Sequence, residues 1–152
     1  MLILCDSGIL LRLFEPRDPE HTIIRQAVEL LDVRGDELVT APQNVAEFWN
    51  VCTRPGSARG GFGLSIPATV LRLEDLEKKF GILDEPSGMY AIWRQLVVAH
   101  SVRGKQVHDT RLAALMRSQG IVHILTLNGT DFARYPGIVV MSPADLVSAE
   151  VP

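Results

Sequence analysis

Short apolar runs alternate along this chain with longer segments whose apolar residues recur at helical spacing. The runs at residues 2–5, 37–41, 121–127 and 138–142 are typical of strands buried on both faces. Helical segments separate most of them, and a strand needs such a crossover to rejoin its sheet in parallel. The pattern therefore predicts an α/β fold with a mainly parallel sheet, as one domain over residues 1–152.

The helices are predicted from apolar periodicity and from start and stop residues. One example is the segment that begins with Asp18 and Pro19 and ends at Gly35. Helical segments are expected at residues 7–14, 18–35, 42–53, 68–81, 87–104 and 109–120, with a closing turn at 143–149. Residues 82–86 are a candidate short strand, 105–108 a connector, and 54–67 and 128–137 loops. The stretch from residue 68 to residue 101 is alternatively a pair of helices packed as a hairpin.

Acidic and amide side chains stand close to the ends of the predicted strands. Asp6 follows the first run, and Asn128 and Asp131 follow the run at 121–127. Glu47 lies early in the helix after the second run, and Asp109 opens the helix before the third. Ligands of open parallel sheets bind beyond the carboxyl ends of the strands. Each residue alone suits a turn, a cap or a solvated helix face, but together they predict one site.

Clustered carboxylates repel one another, and burial raises the cost of ionising them. A site that gathers several such groups needs a cation, and ligands that are all oxygen favour Mg²⁺ or Mn²⁺ over zinc. These ions polarise a phosphodiester and lower the pKa of a bound water. The arrangement therefore indicates metal-dependent phosphodiester hydrolysis. The four histidines share no zinc-ligand spacing; they are His21, His100, His108 and His123.

Four sequence stretches resemble the PIN-domain family and, within it, the VapC-type ribonuclease toxins. They are ILCDSGILL, NVAEFWNV, VHDTRLAALM and ILTLNGTDFARYPGI. The resemblance extends from Met1 to about Ser142, and its most specific part is the pattern T-x-N-x-x-D-F. Ser7 and Gly8 stand where Thr and Asn often follow the first aspartate. Asn128 stands where many members carry another acid.

The resemblance implies a three-layer α/β/α sandwich that cuts single-stranded RNA with Mg²⁺ or Mn²⁺. Asp6, Asp109 and Asp131 would hold the ion, and Glu47 would complete the catalytic set. Ser7, Thr126 and Asn128 would have supporting roles. Either Asn128 or Asp131 completes the metal site, and the expected assignment is Asp131 as the acid, with Asn128 orienting a neighbour. The implied partner is an antitoxin protein, expected to cover the acids with a basic side chain.

Three other classes of function are alternatives to a ribonuclease. A non-catalytic PIN-like module that binds RNA or acts as a scaffold is the main alternative. Phosphoacceptor receivers place paired acids after their first strand, but here Cys5 precedes Asp6, and no lysine follows the run at 121–127. Haloacid-type phosphotransferases need an aspartate two residues after the first, and position 8 is glycine. Both of these classes fit poorly.

The remaining expectations concern partners and compartment. The formal net charge of −3 argues against a broad basic face for nucleic acid, so RNA contacts are expected from Arg54 and Arg59 in the Gly- and Pro-rich loop. Apolar residues around Trp93 suit a homodimer. The two cysteines form no disulfide framework, which favours a reducing cytoplasm. No apolar stretch approaches the length of a membrane span.

Overall fold

A five-stranded sheet organises the molecule, and its strands lie in the order β3-β2-β1-β4-β5. The structure is a computed structural model that describes residues 1–149. All four strand pairings are parallel. The strands are β1 (Leu2–Cys5), β2 (Glu37–Thr40), β3 (Gly81–Ile82), β4 (His123–Leu125) and β5 (Val139–Met141). The α/β class and the parallel sheet are thus confirmed, while the predicted single domain includes positions 150–152, which lie outside the described residues.

Helices cover both faces of the sheet. They are α1 (Ser7–Leu13), α2 (His21–Val33), α3 (Pro42–Thr53), α4 (Ile66–Lys79), α5 (Met89–Ala99), α6 (Gln106–Gln119), α7 (Gly129–Phe132) and α8 (Pro143–Ser148). Side chains of β1 alternate between the two resulting cores. Leu4 packs with α5, α6 and α7, whereas Ile3 and Cys5 pack with α1 to α4. The predicted three-layer α/β/α sandwich is therefore confirmed.

The hairpin alternative for residues 68–101 is wrong. Between α4 and α5 the chain forms β3, which pairs with β2 through Val39 with Gly81 and Thr40 with Ile82. As a result α4 packs beside α3, and α5 packs on α6 on the opposite face of the sheet. An exposed edge strand of two residues has no periodicity, so the sequence pattern could not separate the two helices.

Two other boundaries differ from the prediction. The expected connector at residues 105–108 is wrong, because α6 already begins at Gln106. Its N-cap residue, Lys105, makes no side-chain capping bond, so the sequence carries no start signal there. The expected loop at 128–137 contains the short helix α7. Asp109 consequently lies within the first turns of α6 rather than at its opening.

The direction in which the chain adds strands to the sheet changes at β1, the strand that Asp6 follows. From β1 the chain builds outward through β2 to β3, and later returns to pair β4 on the other side of β1. Ligand sites of parallel sheets form beyond the carboxyl ends of the strands at such a change of direction.

Both cysteines are free and buried. No helix within residues 1–149 is long and apolar enough to cross a membrane.

Candidate active site

Asp6 follows the central strand β1 and caps helix α1. Its Oδ1 accepts a hydrogen bond of 2.7 Å from the backbone N–H of Ser7, and its Oδ2 accepts one of 2.9 Å from the Thr126 hydroxyl. Only 9% of the residue is exposed. Burial raises the pKa of the Asp6 carboxyl, the bonds from Thr126 and Ser7 oppose that rise, and the charge of Glu47 adds to it. Asp6 is therefore a fixed, nearly buried acid whose ionised form is costly.

Glu47 reaches the same site from helix α3. Its Oε2 accepts a hydrogen bond of 2.6 Å from the Ser7 hydroxyl. That hydroxyl also lies 3.4 Å from Oδ1 of Asp6, so Ser7 joins the two carboxylates. Gln43, one turn before Glu47, lies 3.5 Å from its other oxygen and donates to the backbone carbonyl of His108 at 3.1 Å. Gln43 thus links the start of α3 to the start of α6.

Asp109 supplies the third acid from the first turns of α6. Burial raises its pKa to about 6, and the charges of Asp131, Asp6 and Glu47 add to the rise, while His108 opposes it. Since charges influence one another over short distances, four carboxylates from separate elements share one neighbourhood. Among the charges, Asp131 has the largest effect on Asp109.

Asp131 and Asn128 come from the segment after β4. Asn128 is exposed, and its backbone N–H donates to the Thr126 hydroxyl at 3.1 Å. Asp131 is half-buried in α7, one residue before the fully buried Phe132. Because α7 begins at Gly129, Asp131 lies within this helix and does not cap it. A Cβ at Gly129 would lie 2.7 Å from Cγ1 of Val140, so glycine is needed there for close packing.

Two buried polar residues support the site and were not predicted from the sequence. The backbone carbonyl of Cys5, directly before Asp6, accepts hydrogen bonds from the Thr40 hydroxyl at 2.9 Å and from the Asn44 amide at 3.1 Å. Thr40 and Asn44 are fully buried and lie four residues apart. They hold the end of β1 against the start of α3. In the sequence, both residues stand among apolar positions. That placement could have indicated their role, because buried polar groups are normally hydrogen-bonded.

A family model described as the PIN domain matches residues 3–138. The chain belongs to the PIN domain family. PIN domains are generally nucleases that use divalent metal ions. The matched range includes each of the four acids and their hydroxyl partners.

Solved structures with the same fold come from several bacteria. A chain of VapBC-1 from nontypeable Haemophilus influenzae has a TM-score of 0.68 at 19% identity, covering 95% of this chain and 99% of that one. A chain of VapBC2 from Rickettsia felis, bound to a promoter DNA fragment, has 0.67 at 14%, covering 93% and 98%. Mycobacterium tuberculosis VapC20, described as a toxin that cleaves the sarcin-ricin loop, has 0.64 at 18%, covering 90% and 96%. At these identities the likeness establishes the fold alone. No curated protein sequence matches the chain at a significant level.

The acidic side chains of this PIN domain suit a hard divalent ion in their chemistry. The donor set consists of carboxylates with hydroxyl and amide neighbours, and such oxygen ligands favour Mg²⁺ or Mn²⁺. Within residues 1–149, no three His, Cys, Asp or Glu side chains stand together as ready ligands of one ion. Burial raises the pKa of Asp109, the neighbouring carboxylates add to the rise, and a bound cation would relieve their repulsion.

The arginines expected to touch RNA lie at the other end of α3. Arg54 follows Glu47 by seven residues, a rise of about 10 Å along the helix axis. Its side chain donates to the carbonyl of Arg59 at 3.2 Å. Backbone bonds from Phe62 to Val51 and from Leu64 to Cys52 anchor the loop to α3. A contact between these arginines and RNA stays a prediction, and it requires a strand that extends well beyond the acids.

Proposed function

We propose that this PIN domain is a metal-dependent endoribonuclease that cleaves single-stranded RNA as the toxin of a toxin–antitoxin pair. The convergence of Asp6, Glu47, Asp109 and Asp131 at one edge of the sheet carries the proposal. Burial raises the pKa values of Asp6 and Asp109, and the charges of neighbouring carboxylates add to both rises. The main alternative is a PIN-like module that binds RNA or acts as a scaffold without catalysis. In such a module these carboxylates, whose ionised forms are costly, would have no function.

The four acids have different tasks in this proposal. Asp6, Asp109 and Asp131 would hold Mg²⁺ or Mn²⁺, which when bound polarises the phosphodiester and makes a water more acidic. The Ser7 hydroxyl fixes Glu47 through Oε2, which leaves Oε1 the freer oxygen to accept a proton from the attacking water. Thr126 fixes the direction of Asp6 through its bond to Oδ2.

The proposed partners follow from the same assignment. The structural neighbours include VapBC pairs and a toxin–antitoxin complex from Klebsiella pneumoniae, so we propose a cognate antitoxin for this chain. An arginine of that antitoxin would pair with the acids, since its planar fork matches carboxylate oxygens. We also propose a homodimer and a cytoplasmic location, the latter consistent with two free, buried cysteines.

Single-turnover cleavage of an unstructured RNA tests the proposed function. With protein in excess, we expect cleavage in Mg²⁺ or Mn²⁺ and none in EDTA, with activity restored when the ion is added back. A duplex of the same sequence should be cut far more slowly. Binding of the RNA without cleavage in either ion would instead favour the non-catalytic module. The Asp75→Asn variant, changed at an exposed acid of α4, is the matched control and should cleave like the parent.

Asp131 and Asn128 make separable contributions to this site. Asp131→Ala should lower the cleavage rate strongly, because Asp131 is the charge with the largest effect on Asp109. Asn128→Asp should be tolerated and should tighten Mn²⁺ binding, since it adds a charge beside the Asp6–Thr126 pair. Rates at several Mn²⁺ concentrations, with titrations of the ion, measure both effects. Near-parental cleavage by Asp131→Ala together with inactive Asn128→Ala would reverse the assignment.

A further inference from the structure

A cavity of about 440 Å³ is lined by residues of α5, of the segment before α5 and of α6. Met89, Tyr90 and Trp93 of α5 supply its apolar wall, and Glu85, Ser87 and Arg111 supply polar groups. Its volume falls within the range of small-ligand pockets, which combine apolar walls with a few placed polar groups. None of its residues has a part in the proposed chemistry.

Two connections join this cavity to the acids. The indole N–H of Trp93 donates to the backbone carbonyl of Val107 at 3.1 Å, two residues before Asp109 on α6. Arg111 of the same helix lies 3.5 Å from the side-chain oxygen of Gln43, whose amide nitrogen is in turn 3.5 Å from Glu47. The aromatic wall and the polar groups of the cavity are therefore positioned by the same turns of α3 and α6 that carry Glu47 and Asp109. Gln43 and Arg111 thus connect Glu47 to the lining of the cavity.

The surfaces of the cavity match a flat, neutral ligand with polar edges. The Tyr90 and Trp93 rings lie 6.0 Å apart at an interplanar angle of 32°, and 69% of Tyr90 is exposed. Nη2 of Arg111 donates to both carboxylate oxygens of Glu85, at 2.8 and 2.9 Å. The opposite charges of Glu85 and Arg111 compensate each other. The pair can therefore form hydrogen bonds with a neutral ligand, but it does not favour a free phosphate. Unpaired bases are bound in this way, by stacking on aromatic rings and by hydrogen bonds at their edges.

We propose that this cavity binds one unpaired nucleobase of the RNA strand whose phosphodiester lies at the acids. The inference rests on the proposed ribonuclease function and adds a base-binding subsite to it. It explains why the Tyr90 ring is exposed near an acidic site that would otherwise repel a polyanion. Stacking supplies attraction that does not depend on charge.

Single-turnover cleavage as a function of protein concentration tests the subsite. One substrate is an unstructured 12-nucleotide RNA, and the other is a ribose–phosphate strand of the same length without bases. Tyr90→Ala should raise the half-saturating concentration for the RNA by roughly 5- to 150-fold, the range expected for loss of one stacked base. The maximal rate should stay near the parental value. The half-saturating concentration for the baseless strand should be the same in the parent and in Tyr90→Ala.

Matched variants separate the subsite from other roles of this face. Tyr90→Phe keeps the ring and should bind like the parent. Val98→Ala alters a residue of the same helix that is 70% exposed, and it too should bind like the parent. In a Trp49→Phe background, Trp93 is the only tryptophan, and its fluorescence should be quenched by the RNA but not by the baseless strand.

The outcomes that overturn the inference are distinct from failure of the proposed function. If the parent cleaves no RNA in Mg²⁺ or Mn²⁺, the ribonuclease assignment itself is wrong. If the parent cleaves and Tyr90→Ala matches it on the RNA, the subsite is absent while the ribonuclease stands. If Tyr90→Ala and Val98→Ala both weaken RNA binding and convert a dimer to a monomer in sedimentation, a second copy of the chain covers this face instead.

Discussion

Asp6→Asn should lower metal-dependent RNA cleavage by roughly 10³-fold, because a neutral amide removes charge from the centre of the acidic cluster. The fold should survive the change. The amide oxygen can still accept the N–H of Ser7, and the amide nitrogen can donate to the Thr126 hydroxyl, which accepts as readily as it donates. Single-turnover cleavage in Mn²⁺ and a thermal melt measure the two effects.

The control for Asp6→Asn is the exposed Asp75→Asn, which also removes one negative charge. Any general effect of net charge on RNA binding should appear equally in both variants. Parental cleavage by a folded Asp6→Asn protein would place the active centre elsewhere. In the absence of metal, Asp6→Asn should melt at a slightly higher temperature than the parent, since the ionised form of Asp6 is costly when buried.

Asp109→Asn should combine a comparable loss of cleavage with a gain in stability at neutral pH. In the parent, burial and three neighbouring carboxylates raise the pKa of Asp109 from 3.8 to about 6. The folded state therefore holds a proton that the unfolded chain has released between about pH 4 and 6. As the pH rises through this window, the free energy of unfolding falls, and above pH 6 the loss is complete.

The Asp109→Asn variant lacks this titration, so its advantage over the parent should be greatest above pH 6 and should vanish near pH 4. Asp109 is only half-buried, so solvent screening reduces the effect to the order of 1 kcal/mol. For a chain of this size that corresponds to a rise of about 2–4 °C in Tm. Melting curves in EDTA from pH 4 to 8 measure it. An equal difference at every pH would show that the repulsion is not the cause.

Saturating Mn²⁺ should reverse the order of stability of the two proteins. The ion neutralises the repulsion only where its ligands are present, and binding to the folded state alone stabilises it by mass action. The parent should therefore gain more in Tm than Asp109→Asn as Mn²⁺ is increased. Such a reversal would show that the cation relieves the electrostatic repulsion at Asp109, and that burial alone does not account for its raised pKa.

The sequence alone determined the class of fold and predicted which acids form the candidate site. Short apolar runs and crossover helices permit little other than a parallel sheet, and a parallel sheet brings residues after β1 and β4 to one edge. That logic needs no atomic detail, because alternation and strand polarity are local properties. It was sufficient to select Asp6, Glu47, Asp109 and Asp131 as one candidate site.

The tertiary structure decided the features that depend on contacts between distant residues, which the local sequence pattern does not encode. β3 exists only because Gly81 and Ile82 pair with β2, and that pairing sends α4 and α5 to opposite faces of the sheet. The bonds from Thr40 and Asn44 to the carbonyl of Cys5 join residues 35 and 39 positions apart. The cavity beside Trp93 likewise depends on how α5 packs against α6. Contacts between distant residues reflect packing and hydrogen-bond geometry in three dimensions, and these leave no periodic trace in the chain.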